Sequence, residues 1–218
     1  MLTARGDDTL LVDLTGRPGV GKTTLVPLLR EELRRQLGWS LVAMHRSGPP
    51  LEPIASRRRR IRWLATHPHL IVVAWIAGRR HRWRRWLADL VVHSFARASG
   101  HRVVVSDSSV MQVTLAAGQL RWVPRRLLPD VVLEITCDDD LVQRRRTVRA
   151  LDHDLLSTQF RGLHLRQAEQ LPAIRRVAAR RNIAWYTVNN DGEDPSPAVD
   201  RCMRHIEDEL RRKQDRGE

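Results

Sequence analysis

The stretch Leu10–Gly38 reads LLVDLTGRPGVGKTTLVPLLREELRRQLG, and its three parts decide the fold. Leu10–Thr15 is a short, mostly apolar run, the mark of a buried strand. Leu25, Val26, Leu28, Leu29 and Leu33 then recur at helical spacing up to Gly38, a residue suited to stopping a helix. Between strand and helix lies GRPGVGKTT, which satisfies Gly-x-x-x-x-Gly-Lys-[Ser/Thr] in full through Gly16, Arg17, Pro18, Gly19, Val20, Gly21, Lys22, Thr23 and Thr24. Glycines let such a loop wrap closely and turn its N–H groups inward, and the helix start adds the positive end of its dipole. The loop is therefore predicted to bind phosphate. Lys22 is expected to reach the β- and γ-phosphates of ATP, and the Thr23 hydroxyl to ligate Mg²⁺.

Lysine usage sharpens this reading. Of 38 basic residues only Lys22 and Lys213 are lysines. One of them occupies the single place where a compact ammonium is hard to replace by a planar guanidinium. Lys213 sits in the polar end RRKQDRGE, expected to fray over about 213–218.

Outward from the loop, strand patterns alternate with helical ones. Ser40–His45, Arg102–Ser106, Asp130–Cys137 and Ile183–Val188 read as further strands. Ser56–Ala65, His69–Ala98 (with a kink at Gly78), Val110–Ala117, Asp138–Arg149, His164–Arg181 and Pro197–Arg212 read as helices. The expectation is an α/β protein with the three-layer P-loop NTPase fold, a five-stranded parallel sheet flanked by helices, in a single domain over 1–218. A hydrophobic content of 42% excludes global disorder. Cys137 and Cys202 have neither metal-ligand nor CxxC spacing, which excludes a disulfide scaffold and a Cys-type zinc site. The apolar run Leu70–Ala77 is far short of a bilayer span, and the amino-terminal residues carry no secretory pattern. A soluble, cytoplasmic protein is expected.

The net charge of +13 is concentrated. Between Glu52 and Asp89 there is no acidic residue, and ten arginines from Arg57 to Arg85 supply most of the excess. Such a surface suggests an anionic partner. Trp83, Trp86, Leu87, Leu90, Val91 and Phe95 form an apolar helical stripe and are expected in the core. Trp63 beside Arg62 is a stacking candidate, whereas His67 and His69, flanking Pro68, read as loop residues rather than metal ligands.

Two further features bear on chemistry. Asp107 ends the third strand, at the edge where α/β sheets bind ligands, and can hold magnesium or orient an acceptor. After the fourth strand, Arg145 and Arg149 lie one helical turn apart, with Arg146 also in reach of Arg149. Like charges stacked on a helix face point to an anion between them, as a migrating phosphoryl group requires.

With these motifs in place, the chain resembles the thymidylate kinase-like branch of the P-loop nucleoside and nucleotide kinases, from Leu10 to about Leu210. The resemblance rests on Gly16–Thr24, on Asp107 of the third-strand motif, on Arg46 in HRSGPP, on Gln112, and on PDVVLEITCDDDLVQRRRTVR. Ser108 and Ser109 stand where the family carries Arg and Tyr after that aspartate. The resemblance implies ATP and Mg²⁺ as cofactors, acceptor contacts from Arg46 and Gln112, catalytic roles for Lys22, Asp107, Arg145 and Arg149, metal contacts from Thr23 and Asp107, and a lid over about 150–163. The expected activity is transfer of the γ-phosphoryl of Mg-ATP to a small acceptor, a nucleoside monophosphate or a nucleoside. The alternative is a nucleotide-gated NTPase or binding protein that uses its arginine surface on nucleic acid or anionic membrane. A homodimer is compatible with either, and a macromolecular surface is the less favoured partner.

Overall fold

The computed structural model describes residues 9–17, 19–38, 42–46, 57–78, 83–98, 101–107, 123–152 and 171–216. Its centre is a sheet of five strands: β1 (Leu10–Thr15), β2 (Val42–Arg46), β3 (Val103–Asp107), β4 (Val131–Thr136) and β5 (Ala184–Asn189), in the order β2-β3-β1-β4-β5. Every pairing is parallel, as required when helices return the chain to the same edge. The helices are α1 (Lys22–Leu37), α2 (Arg57–Thr66), α3 (His69–Gly78), α4 (Trp83–Ala98), α5 (Asp139–Asp152), α6 (described over 171–180) and α7 (Ser196–Asp215).

Alternation along the strands separates two cores. Leu10, Val12 and Leu14 of β1, with Val103, Val105, Val131, Leu133 and Ile135, pack against Leu25, Val26, Leu29 and Leu33 of α1 and Cys202, Met203 and Ile206 of α7. On the other face, Val132 joins Leu70 and Ala74 of α3, Leu90 and Val91 of α4, and Ile174 and Ala178 of α6. The α/β class and the parallel sheet between helices thus agree with the sequence. In α1, four of the five predicted apolar positions are buried and Leu28 stays exposed. Gly38 closes the helix with φ 85°, its amide donating to the Arg34 carbonyl at 2.8 Å.

Two expectations are corrected. The stretch from His69 to Ala98 is not one kinked helix: α3 ends at Gly78, and α4 starts at Trp83 and packs along it. Gly78, a weak helix former, favours a break over continuation. The end from Lys213, expected to fray, instead continues α7 to Asp215. The Lys213 ammonium donates to the Thr9 carbonyl at 2.8 Å and lies 3.6 Å from Asp130. Leu87, Leu90, Val91 and Phe95 pack as the stripe predicts, with Phe95 edge-on to Trp63. The side chains of Trp83 and Trp86, and the expected helix over Val110–Ala117, lie outside the described residues.

The amino ends of β1 and β4 are tied by one carboxylate. Asp130 accepts the Leu11 amide at 2.9 Å and an Arg97 N–H at 3.0 Å, with Arg125 at 3.5 Å. Burial alone would raise its pKa, but Arg97 and Lys213 outweigh it and hold the carboxyl below its usual range. Nearby, His93 is buried with Nδ1 2.9 Å from the Leu127 carbonyl, so Nδ1 carries the proton and donates. Burial pushes its pKa from 6.5 down to about 4.

This has a consequence for acid stability. The unfolded chain takes up the His93 proton near pH 6.5, whereas the fold resists it until about pH 4. The contribution of neutral His93 is complete above pH 6.5 and is lost as pH falls from there toward 4, on the order of 3 kcal/mol in all. His93→Asn, which keeps a donor for Leu127, should flatten urea-measured stability across that window. An unchanged slope would contradict this role.

Candidate phosphate-binding site

The site begins where β1 runs out. Gly16, Gly19 and Gly21 have φ of 141°, 92° and 91°, which turns the loop back over the strand and into α1. Gly16 permits no side chain: a Cβ there would stand 2.3 Å from the Ile135 carbonyl oxygen of β4. Helix α1 starts at Lys22, and the Gly21 carbonyl accepts its first bonds, from Thr24 at 2.9 Å and Leu25 at 3.0 Å. The amides of Lys22 and Thr23 therefore precede the helical ladder, at the positive end of the dipole.

Lys22 is buried, at 9% exposure. Its Nζ donates to the Gly16 carbonyl at 2.6 Å and the Arg17 carbonyl at 3.2 Å. The ammonium thus sits inside the turn of its own loop. Thr23 and Thr24 are exposed beside it. An ammonium, helix-start amides and two hydroxyls form a donor set that fits anionic phosphate oxygens, and the Thr23 hydroxyl adds a hard oxygen suited to Mg²⁺.

The loop is held from outside by β4, β5 and α5. Asn190, buried just past β5, donates from Nδ2 to the Val20 carbonyl at 2.8 Å. The Arg145 guanidinium of α5 donates to the carbonyls of Gly192 at 2.9 Å and Asn190 at 3.3 Å, and more weakly to Val20 at 3.4 Å. Both side chains crowd Gly21, where a Cβ would lie 2.4 Å from Asn190 Nδ2 and 3.2 Å from Arg145. Arg17 pairs with Asp139 at the start of α5 at 2.7 Å, an exposed contact worth little alone. Asp138 caps that helix by accepting the Asp140 amide at 2.9 Å, while its own amide donates to Asp191 at 2.5 Å. The side chain of Asn189, the Asp138 amide and Arg145 hold the Asp191 carboxyl below its ordinary pKa. Burial pushes the neighbouring Cys137 thiol up, so it stays protonated and is not an activated nucleophile.

The predicted site residues divide accordingly. Gly16, Arg17, Gly19, Val20, Gly21, Lys22, Thr23, Thr24 and Arg145 come together. Asp107 ends β3, its backbone paired with Leu14 of β1 two residues before Gly16, and with Arg46 of β2 on its other side. The side chains of Asp107, Arg46 and Arg149, and Pro18 and Gln112 altogether, lie outside the described residues, as does the expected lid beyond residue 152. The Trp63 ring, a stacking candidate, is committed internally: it stacks on His67 at 4.0 Å and donates Nε1–H to Ser94 at 3.1 Å.

Sequence reasoning missed Asn190 and a buried polar band on the other face of the sheet. Asp13, Thr15, Ser106 and Glu134 are all buried, and strand alternation turns them away from α1 and α7. The register sets Asp13 opposite Ser106 and Thr15 opposite Glu134. Glu134 accepts N–H donors from Arg175 and from Trp185 Nε1, the latter at 2.9 Å. An acid inside a β-branched strand, as in VVLEIT, was the available signal.

No protein-family model and no curated protein matches the chain. Among solved structures it is similar to thymidylate kinase from Ehrlichia chaffeensis, with 15% identity, 91% of this chain and 98% of that chain covered, and a TM-score of 0.49. At that level of likeness the reading of the site stands on its own geometry.

The packing at Gly16 is directly testable. Gly16→Ala forces a Cβ against a strand carbonyl that cannot yield without moving β4. It should cost about 1–3 kcal/mol in a urea melt. Wild-type stability in that variant would show that the loop does not press on the sheet as described.

Proposed function

We propose that the chain is an ATP-dependent phosphotransferase that moves the γ-phosphoryl of Mg-ATP to a small acceptor, a nucleoside monophosphate or a nucleoside. One observation carries this reading. The buried Lys22 ammonium is wrapped by a loop of positive-φ glycines at the start of α1, beyond the carboxyl end of the central strand. On binding, the ammonium exchanges its two loop carbonyls for β- and γ-phosphate oxygens. The α1 amides take the remaining phosphate oxygens, and the exposed Thr23 hydroxyl offers the metal its protein contact. Bound magnesium would supply charge neutralisation across the β- and γ-phosphates.

Asp107 is suited to hold the metal or accept the acceptor's proton, because its strand position is next to β1 and level with the loop. An acceptor oxygen then forms a bond to the γ-phosphorus as the bond to the β-bridging oxygen breaks, leaving ADP. Arg145 acts first as a positioning residue, because its N–H groups hold the loop carbonyl to the β5 end. It and Arg149, one helical turn apart, are proposed as cations for the transferring charge. Arg46 and Gln112 are proposed on the acceptor side, and a lid over about 150–163 to exclude water.

Lys22→Ala should abolish phosphate transfer from radiolabelled ATP to a panel of nucleosides and nucleoside monophosphates while leaving circular dichroism unchanged. Lys22→Arg should fail too, because a guanidinium plane does not fit the turn. Near-normal transfer by either variant would remove the assignment. Asp107→Asn should lower kcat roughly 100-fold, the scale of losing a positioned acid. Partial recovery with excess magnesium would assign it to the metal, and wild-type kcat would exclude it from the site.

A further inference from the structure

Helix α3 is apolar on both sides. Leu70 and Ala74 are fully buried against the core. One face over, Ile71, Val72, Trp75 and Ile76 are 41%, 57%, 58% and 43% exposed. Their spacing, 71 with 75 and 72 with 76, makes a continuous stripe rather than scattered positions. After His69 the helix has no titratable residue at all. An ordinary surface helix presents polar groups on that side.

Arginines flank this stripe in sequence. On α2, Ile61 is 59% exposed between the exposed Arg58 and Arg62, one helical turn apart. From Glu52 to Asp89 there are ten arginines and no acid to neutralise them.

We propose that the exposed face of α3, with the arginines that flank it in sequence, is a docking surface for an anionic phospholipid membrane. Charge decides between occupants. A second copy of the chain would bring the same acid-free, arginine-rich stretch to the contact, and like charges repel. Nucleic acid would satisfy the arginines but leave the isoleucines and Trp75 in water. A bilayer of anionic lipid meets both demands. The apolar side chains sink to the boundary between headgroups and acyl chains, with Trp75 at the depth tryptophan prefers, while guanidinium groups pair with phosphates. The helix lies on the membrane and does not cross it: ten residues span about 15 Å, half the hydrocarbon thickness. Among the described residues no helix is long and apolar enough to cross.

The test is co-sedimentation of the full chain with vesicles of phosphatidylcholine alone and with phosphatidylglycerol added. Wild-type protein should partition onto the anionic vesicles ~10-fold or more above the neutral ones, and the excess should fall with salt. That comparison needs no substitution. The pairs Val72→Ser with Trp75→Ser, and Arg58→Ser with Arg62→Ser, should each reduce anionic binding ~10-fold while melting temperature and nucleotide binding hold. Absence of wild-type binding to anionic vesicles would overturn the proposal. So would full binding by the Val72/Trp75 pair, a self-associating chain with no vesicle affinity, or tight binding of nucleic acid by a chain that ignores vesicles.

Discussion

The buried ammonium of Lys22 is the interaction on which the rest of the site depends. A cation taken from water must find fixed dipoles, and the carbonyls of Gly16 and Arg17, which its own loop turns inward, supply them. That demand explains the glycines, since only backbone free of Cβ bends tightly enough to surround Nζ and still rest on the Ile135 carbonyl. It also explains the second ring of contacts. Asn190 and Arg145 fix the Val20 carbonyl, so the loop is also held from outside.

The two ends of the sheet have different work. At the amino ends, Asp130 gathers Arg97, Arg125, Lys213 and the Leu11 amide, which ties α7 to the start of β1. At the carboxyl ends, exposed hydroxyls and helix-start amides face outward from the loop. The same pattern of parallel strands that buries Val103, Val131 and Leu133 makes this asymmetry unavoidable, because every strand delivers its carboxyl end to one side.

Much of this was legible in the sequence. LLVDLT, GRPGVGKTT and the leucine period of α1 carry strand, loop and helix without ambiguity, because local glycine chemistry and periodicity agree there. The division at Gly78 was not legible, since a glycine marks either a kink or an end and only the packing of α3 along α4 distinguishes them. Nor were Asn190 and Lys213. Each makes its bond across a long separation, to Val20 and to Thr9, and no periodicity encodes such a pair. The run Leu70–Ala77 was legible as apolar and too short to span a bilayer, but it has no period that sorts its faces, and only the three-dimensional burial separates Leu70 and Ala74 from Val72 and Trp75.

The loop is proposed to hold the β-phosphate of a nucleotide. Calorimetric titration of the purified chain with ATP, ADP and AMP in magnesium buffer tests it most directly. ATP and ADP should bind saturably and one-to-one, and AMP roughly 100-fold or more weakly, because it lacks the phosphate that Lys22 and the α1 amides are arranged to meet. Equal affinity for AMP and ADP, or no binding of any of the three, would contradict it.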